Sequence, residues 1–335
     1  MSQQATGRNI KIKLIALAVP MLFVALCVCA SVDAQQTKLY RVGVLVPGEA
    51  WYEIIDGLKV GLKQLGLEER RQFALTIRDW KGEAKAAEAA ARAFEQERVD
   101  LIYTTSTNST IAARRATAEI PIVFCAGTDP VVVGLVDSFA NPGGRLTGVY
   151  SVTTDLTGKR LEILKEIVPK LRRVVTFYDP RRATTIESAK QAREAARQIG
   201  IQLVERHFTS VEELQAEVRA LKAGEVDAYL AMAEPLAANQ SQLIIDTAKA
   251  KTLPTMHNFQ SEVIKGGLAT YGVKFHEVGR VSAKYVQRVL TSVKPKDMPV
   301  EGVDKFKLTI NLKTAKQIGL TIPPNVLARA DRVIK

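Results

Sequence analysis

Residues 40–46, YRVGVLV, run into WYEIIDGLKVGLKQLG at 51–66 and then into FALTIRD at 73–79. The outer two stretches are short and rich in β-forming residues, while the middle one carries a helical pattern. Strand, helix and strand joined by such short connections predict a crossover unit of a parallel sheet. The same alternation continues outward. EAKAAEAAARAFEQE (83–97) leads to VDLIY (99–103), and STIAARRATAE (109–119) leads to PIVFC (121–125).

A second series of the same kind begins with the helical GKRLEILKEIVP at 158–169. Strands are expected at RVVTFY (173–178), IQLVER (201–206), VDAYLA (226–231) and LPTMH (253–257). Helices are expected at IESAKQAREAARQIG (186–200), VEELQAEVRALKAG (211–224) and PLAANQSQLIIDTAKAK (235–251). Two series of similar size predict an α/β chain of two Rossmann-like lobes. Between them, residues 129–155 hold no long helical period and are punctuated by Asn141-Pro142-Gly143-Gly144, so the chain should cross between lobes there. GGLATYGVKFHEVGRVSAKYVQRVL (266–290) offers a return, and KFKLTINLKTAKQIGLTIPP (305–324) a third passage. The expected division is lobe I at 35–150, completed by part of 272–303, and lobe II at 151–271, completed by part of 304–335.

Residues 1–34 read as an export leader. Arg8, Lys11 and Lys13 precede an apolar run from Leu14 to Val32, and Val32-Asp33-Ala34 offers a cleavage site. A retained membrane anchor is the alternative, since the run approaches the roughly 20 residues that span a bilayer. Lipidation at Cys27 is less favoured, because the bulky Leu26 stands where a small residue is wanted. After the leader no second apolar segment of membrane length follows. The roughly 300 residues that remain suit two domains better than one core.

Cys27 and Cys29 belong to the leader, which leaves Cys125 as the one thiol of the exported chain and excludes an intramolecular disulfide. The formal charge of +12 falls by two with the leader. Lysines and arginines are interspersed with acids, and no basic run with interleaved aromatics appears, so no nucleic-acid partner is expected. There is no G-x-G-x-x-G, no phosphate-binding loop and no G-x-S-x-G elbow. His207, His257 and His276 lack metal-ligand spacing. The chain is therefore expected to be neither an enzyme nor a holder of a cofactor or metal.

Five fragments, in this order and spacing, carry a resemblance: IPIVFCAGTDPVVVGLV, NPGGRLTGV, GKRLEILKEIVPKLRRV, GGLATYGV and KFKLTINLKTAKQIGLTIPPNVLARADRVI. The chain resembles the substrate-binding proteins of ABC transporters, in particular receptors associated with aromatic amino acids, from about Tyr40 to Ile334. The resemblance implies a type I periplasmic-binding-protein-like fold with a three-segment hinge, a ligand in the interlobe cleft, and an ABC permease as membrane partner. A periplasmic monomer is expected.

In open parallel sheets, ligands gather beyond the carboxyl ends of the strands, beside helix N-termini. That rule selects Trp51 and Tyr52 as stacking surfaces, and Thr105, Ser106 and Thr107 as a hydroxyl seat for a carboxylate. Thr128 and Asp129 follow the strand at 121–125. Asp129, Asp179 and Glu234 are acids placed to meet an amine. Simple helix capping by Ser106 or Thr107 and a plain turn role for Asp129 are the competing explanations. Arg181 and Arg182 offer a second acid seat. The expected activity is capture of a small carboxylate-bearing ligand, an amino acid or an aromatic acid, for an importer. A ligand-sensing module for a membrane receptor is the alternative, and a secreted hydrolase on the same fold a more distant one.

Overall fold

The computed structural model describes residues 38–335, and the leader expected at 1–34 lies outside them. Among the described residues the strands are β1 (Tyr40–Val46), β2 (Phe73–Asp79), β3 (Leu101–Thr104), β4 (Ile122–Ala126), β5 (Leu146–Tyr150), β6 (Arg173–Tyr178), β7 (Gln202–His207), β8 (Ala228–Leu230), β9 (Thr255–His257), β10 (Ala269–Val273), β11 (Glu301–Gly302), β12 (Phe306–Asn311) and β13 (Arg332–Ile334). The helices are α1 (Tyr52–Gln64), α2 (Ala84–Gln96), α3 (Thr107–Ala116), α4 (Leu156–Ile167), α5 (Ala183–Gln198), α6 (Val211–Ala220), α7 (Pro235–Asn239), α8 (Ser241–Ala250), α9 (Gln260–Ile264), α10 (Phe275–Leu290), α11 (Leu312–Gln317) and α12 (Pro324–Leu327).

The strands form two sheets, ordered β11-β5-β4-β3-β1-β2 and β13-β12-β10-β9-β8-β6-β7. Every neighbour pair is parallel except β10 with β12. In β3, β4 and β5 every residue is buried, as expected of strands covered by helices on both faces. The edge strands β2 and β7 instead carry half-buried polar residues such as Arg78, Glu205 and Arg206. Alternation along β1 sends Val42, Val44 and Val46 into one core with α1 and α10, and Leu45 into another with α2 and α3. The second sheet likewise lies between two cores, one built with α4 and α5 and the other with α6 and α8. This is the two-lobed α/β architecture.

The chain passes between the sheets three times. After β5 it enters α4, whose Leu161, Leu164 and Ile167 belong to the second lobe's core. After β10 it returns as α10, whose Val278 and Val286 pack in the first lobe. After β11 it leaves again as β12. Residues 129–155 thus do more than cross, because they first supply β5. Gly148 interrupts the apolar run there at φ 154°, and a Cβ on it would meet the Phe124 carbonyl oxygen at 2.0 Å. The antiparallel β12 was not expected either. It arrives by an interlobe passage, so no helical crossover dictates its direction.

Helices α1 and α10 show how the first lobe closes on a segment from late in the chain. A Cβ on Gly57 would stand 1.9 Å from the His276 carbonyl oxygen, and one on Gly279 would stand 1.9 Å from that of Ile54. The two backbones approach too closely for any side chain at either position.

Candidate ligand cavity between the lobes

The carboxyl ends of both sheets face each other across a cavity of about 50 Å³ that opens to solvent. The first lobe contributes Trp51 after β1, Thr105 to Asn108 after β3, Gly127 and Thr128 after β4, and Ser151, Thr153 and Thr154 after β5. The second lobe contributes Thr184 on α5, Ala233 to Pro235 after β8, and Asn258 and Phe259 after β9. Phe275, the first residue of α10, completes the wall.

One side is aromatic. Phe259 stands edge-on to Trp51 with ring centroids 4.6 Å apart, and it stacks on Phe275 at 4.9 Å. Trp51 comes from the first lobe and Phe259 from the second, so this wall exists only where the lobes meet.

The opposite side is built of hydroxyls at the start of α3. Ser106 is the N-cap and accepts from the Ser109 amide at 3.1 Å. Trp80 Nε1 donates to Ser109 Oγ at 2.9 Å, and Ser109 Oγ lies 2.9 Å from Ser106 Oγ. When Ser109 donates onward, the Ser106 proton remains for an acceptor in the cavity. Thr107 Oγ1 accepts from the amides of Gly127 and Thr128, at 3.0 and 3.1 Å, which leaves its own proton unspent. The first-turn amides of Thr107 and Asn108 have no intrahelical acceptor. Together these donors suit an anionic oxygen pair. Thr105, by contrast, donates to the Leu45 carbonyl, and Thr128 pairs with Thr154 at 2.7 Å.

Glu234 is the acid in the wall. It is 1 % exposed and caps α7 by accepting from the Leu236 amide at 3.0 Å. Burial raises its pKa, opposed by Arg182, whose Nε lies 3.5 Å from it. Beneath the cavity lies Arg160, fully buried on α4. Its guanidinium donates to Asn258 Oδ1 and to the Thr153 carbonyl, and its Nε has no partner among the described residues. Burial lowers its pKa to about 10, which leaves it charged at neutral pH. Glu262 accepts from the Asn258 and Phe259 amides at 3.2 and 2.9 Å, and burial raises its pKa to about 7.

Three residues singled out by the sequence stand elsewhere. Tyr52 packs partly buried against the first lobe's core and does not line the cavity. The Asp129 carboxylate accepts from the amides of Val131 and Val132, at 2.7 and 3.2 Å, holding the turn that its Asp-Pro sequence announces. Asp179 lines a broader outer groove with Arg181 and Arg182. Burial would raise the Asp179 pKa, but bonds from Arg181 and the nearby Arg182 outweigh it and hold it below the ordinary value. Trp51, Thr105, Ser106, Thr107, Thr128 and Glu234 do line the inner cavity.

Phe259, Phe275 and Arg160 were absent from the sequence-derived site, whereas Asn258 was among the strand-end positions. Phe259 had a usable signal, since it follows a strand end by two positions. Arg160 had none, because a charged residue early in an amphipathic helix reads as solvated.

Further polar contacts bridge the lobes around the cavity. Asn108 Nδ2 donates to Thr184 Oγ1 at 3.0 Å, Asn239 Nδ2 to the Pro47 carbonyl at 2.7 Å, and Arg182 to the Gly82 carbonyl at 2.6 Å. Lys265 and Glu49 form an exposed ion pair at 2.6 Å.

Two α/β lobes around a lined interlobe cavity define a solute-binding architecture, and the chain belongs to the ABC transporter substrate binding protein family, which matches residues 41–334. It is similar to the tyrosine-binding protein of Clostridioides difficile (strain R20291), at 24 % identity covering 86 % of this chain and 83 % of that one. Among solved structures, a conserved domain protein from Vibrio cholerae matches at 29 % identity and a TM-score of 0.83, covering 88 % of this chain and all of that one. A Streptococcus pneumoniae ABC domain in complex with L-Trp matches at 24 % identity and a TM-score of 0.81, covering 89 % of this chain and all of that one. The protein is a substrate-binding protein of the ABC transporter type.

Proposed function

We propose that this chain is the extracytoplasmic receptor of an ABC importer, exported by the leader at 1–34, and that it captures an aromatic amino acid between its lobes for delivery to a membrane permease. The observation that carries this reading is the pairing, in one interlobe cavity, of the Trp51, Phe259 and Phe275 wall with the hydroxyls and open amides at the start of α3. An aromatic body packs on the first and a carboxylate is received by the second. Glu234 supplies an acceptor for an ammonium group. A dicarboxylate is disfavoured, because Arg181, the expected second acid seat, lies in the outer groove and is bonded to Asp179 at 2.8 Å. The tyrosine-binding relative and the L-Trp complex agree with this choice of ligand class.

Capture by lobe closure needs no covalent step. The ligand's greater affinity for the closed arrangement shifts the population toward it. The test is a thermal-shift series on the exported chain with L-Tyr, L-Trp and L-Phe, against L-Arg, succinate and D-ribose. An aromatic amino acid at about 100-fold over its dissociation constant should raise the midpoint by roughly 5 °C or more. A shift with succinate or ribose and none with the aromatic amino acids overturns the reading.

A further inference from the structure

Arg160 is a guanidinium with no accessible surface and, among the described residues, no carboxylate within ion-pair distance. A buried cation that lacks a matched anion is costly, and it persists where something compensates it. Its neighbours show where that compensation is available. Both acceptors of its hydrogen bonds, Asn258 and the Thr153 carbonyl, belong to residues that line the ligand cavity. They approach from opposite lobes, Thr153 from the passage after β5 and Asn258 from the end of β9. The acid whose charge acts on Arg160, Glu262, spends its carboxylate on the Asn258 and Phe259 amides. Asn258 Nδ2 is held by the Met232 carbonyl at 2.6 Å, so Asn258 presents a fixed carbonyl oxygen to Arg160 and cannot turn away.

We propose that Arg160 is the positioning residue that makes this cavity select carboxylate-bearing ligands, by placing an unmatched positive charge directly behind the Thr153 and Asn258 portions of its wall. The inference rests on the amino-acid reading of the cavity. Arg160 does not touch the ligand. It acts by the field it imposes through a low-dielectric wall, and by bracing the two lobe segments that carry Thr153 and Asn258. The α3 hydroxyls and amides then supply the direct hydrogen bonds, and Arg160 supplies the charge that this cavity otherwise lacks. Among the described residues no lysine or arginine lines the cavity, and Arg181 and Lys265, two cations near the lobe boundary, are engaged by Asp179 and Glu49. Arg182 leans toward Asp179 and Glu234.

The test separates charge from architecture by using three probes of one shape: the aromatic amino acid that binds best, its deaminated acid, and its decarboxylated amine. Dissociation constants are measured by calorimetry for wild type, Arg160→Gln and Glu262→Gln. The expected result for Arg160→Gln is a loss on the order of 10-fold or more for the two carboxylates, with less than about threefold change for the amine. At about pH 8, above the Glu262 pKa, Glu262→Gln removes the carboxylate charge that acts on Arg160 while keeping an acceptor for the Asn258 and Phe259 amides, and should strengthen the carboxylates relative to the amine. Equal weakening of all three probes by Arg160→Gln, or an undiminished preference for carboxylates, overturns the role of Arg160. If Arg160→Gln does not fold, Glu262→Gln decides: an unchanged ratio of acid to amine affinity overturns the proposal. A wild-type protein that binds none of the probes, or the amine as tightly as the acid, overturns the amino-acid reading itself.

Discussion

Glu262 is a carboxyl with 4 % exposure whose burial raises its pKa from 4.5 to about 7, against the bonds of the Phe259 and Asn258 amides. A folded-state pKa above the unfolded one means that the native state holds the proton more tightly. Its contribution is whole below about pH 4.5 and is lost as pH rises through about 7. His257, held neutral by burial with a pKa near 3, has the opposite sign: its contribution is present above about pH 6.5 and is lost as pH falls toward 3. The windows overlap and His257 Nδ1 lies 3.7 Å from Glu262 Oε2, so the informative quantity is wild type minus Glu262→Gln, which reports Glu262 together with its effect on His257. Chemical denaturation should show this difference falling by on the order of 3 kcal/mol between pH 4.5 and 7. A pH-independent difference would contradict the burial of this acid. Phe259→Ala removes both aromatic contacts and should lower affinity for an aromatic ligand at least 10-fold, read by calorimetry. Unchanged affinity would remove Phe259 from the site. Trp51, Ser106 and Glu234 could be picked from the sequence because each follows a strand's carboxyl end, where chain direction alone tells which residues face the cleft. Asp129 and Asp179 satisfied the same rule, yet local turn amides and a neighbouring arginine take up their carboxylates. Position along a strand does not record such competition.

Helices α1 and α10 are far apart in sequence, and their contact depends on glycine at 57 and 279. Gly57→Ala must displace the His276 backbone, so a stability loss of roughly 2 kcal/mol or more is expected in equilibrium unfolding. A neutral substitution would show that the helices can separate without cost. Both glycines lie inside helical patterns and gave no sign of their partner. The crossover units themselves were legible: 40–46, 73–79 and 173–178 coincide with β1, β2 and β6. Their period and length are local properties. Strand β5 was not legible, since Gly148 and the preceding turn break the pattern, and only pairing with β4 makes the segment a strand.

For the whole molecule, the cavity exists only while the lobes touch; besides the Trp51–Phe259 ring contact and the Arg160 bond to Thr153, the side-chain polar contacts that join them around the cavity are Asn108 to Thr184, Asn239 to Pro47, Arg182 to Gly82 and Lys265 to Glu49. An exposed pair such as the last contributes little. Ligand is therefore expected to supply much of what holds the lobes together, and small-angle scattering should show a smaller radius of gyration at saturation than without ligand. An unchanged radius would contradict a hinge driven by ligand. The three passages between lobes, after β5, β10 and β11, are the segments on which such a hinge turns. The most direct measurement is a crystal structure of the exported chain with the best aromatic amino acid from the thermal-shift series. Ligand density is expected between the Trp51, Phe259 and Phe275 rings, with its carboxylate at the start of α3 on the Ser106 and Thr107 side. Density seated instead in the outer groove beside Asp179 and Arg181, with the inner cavity filled by water, would contradict it.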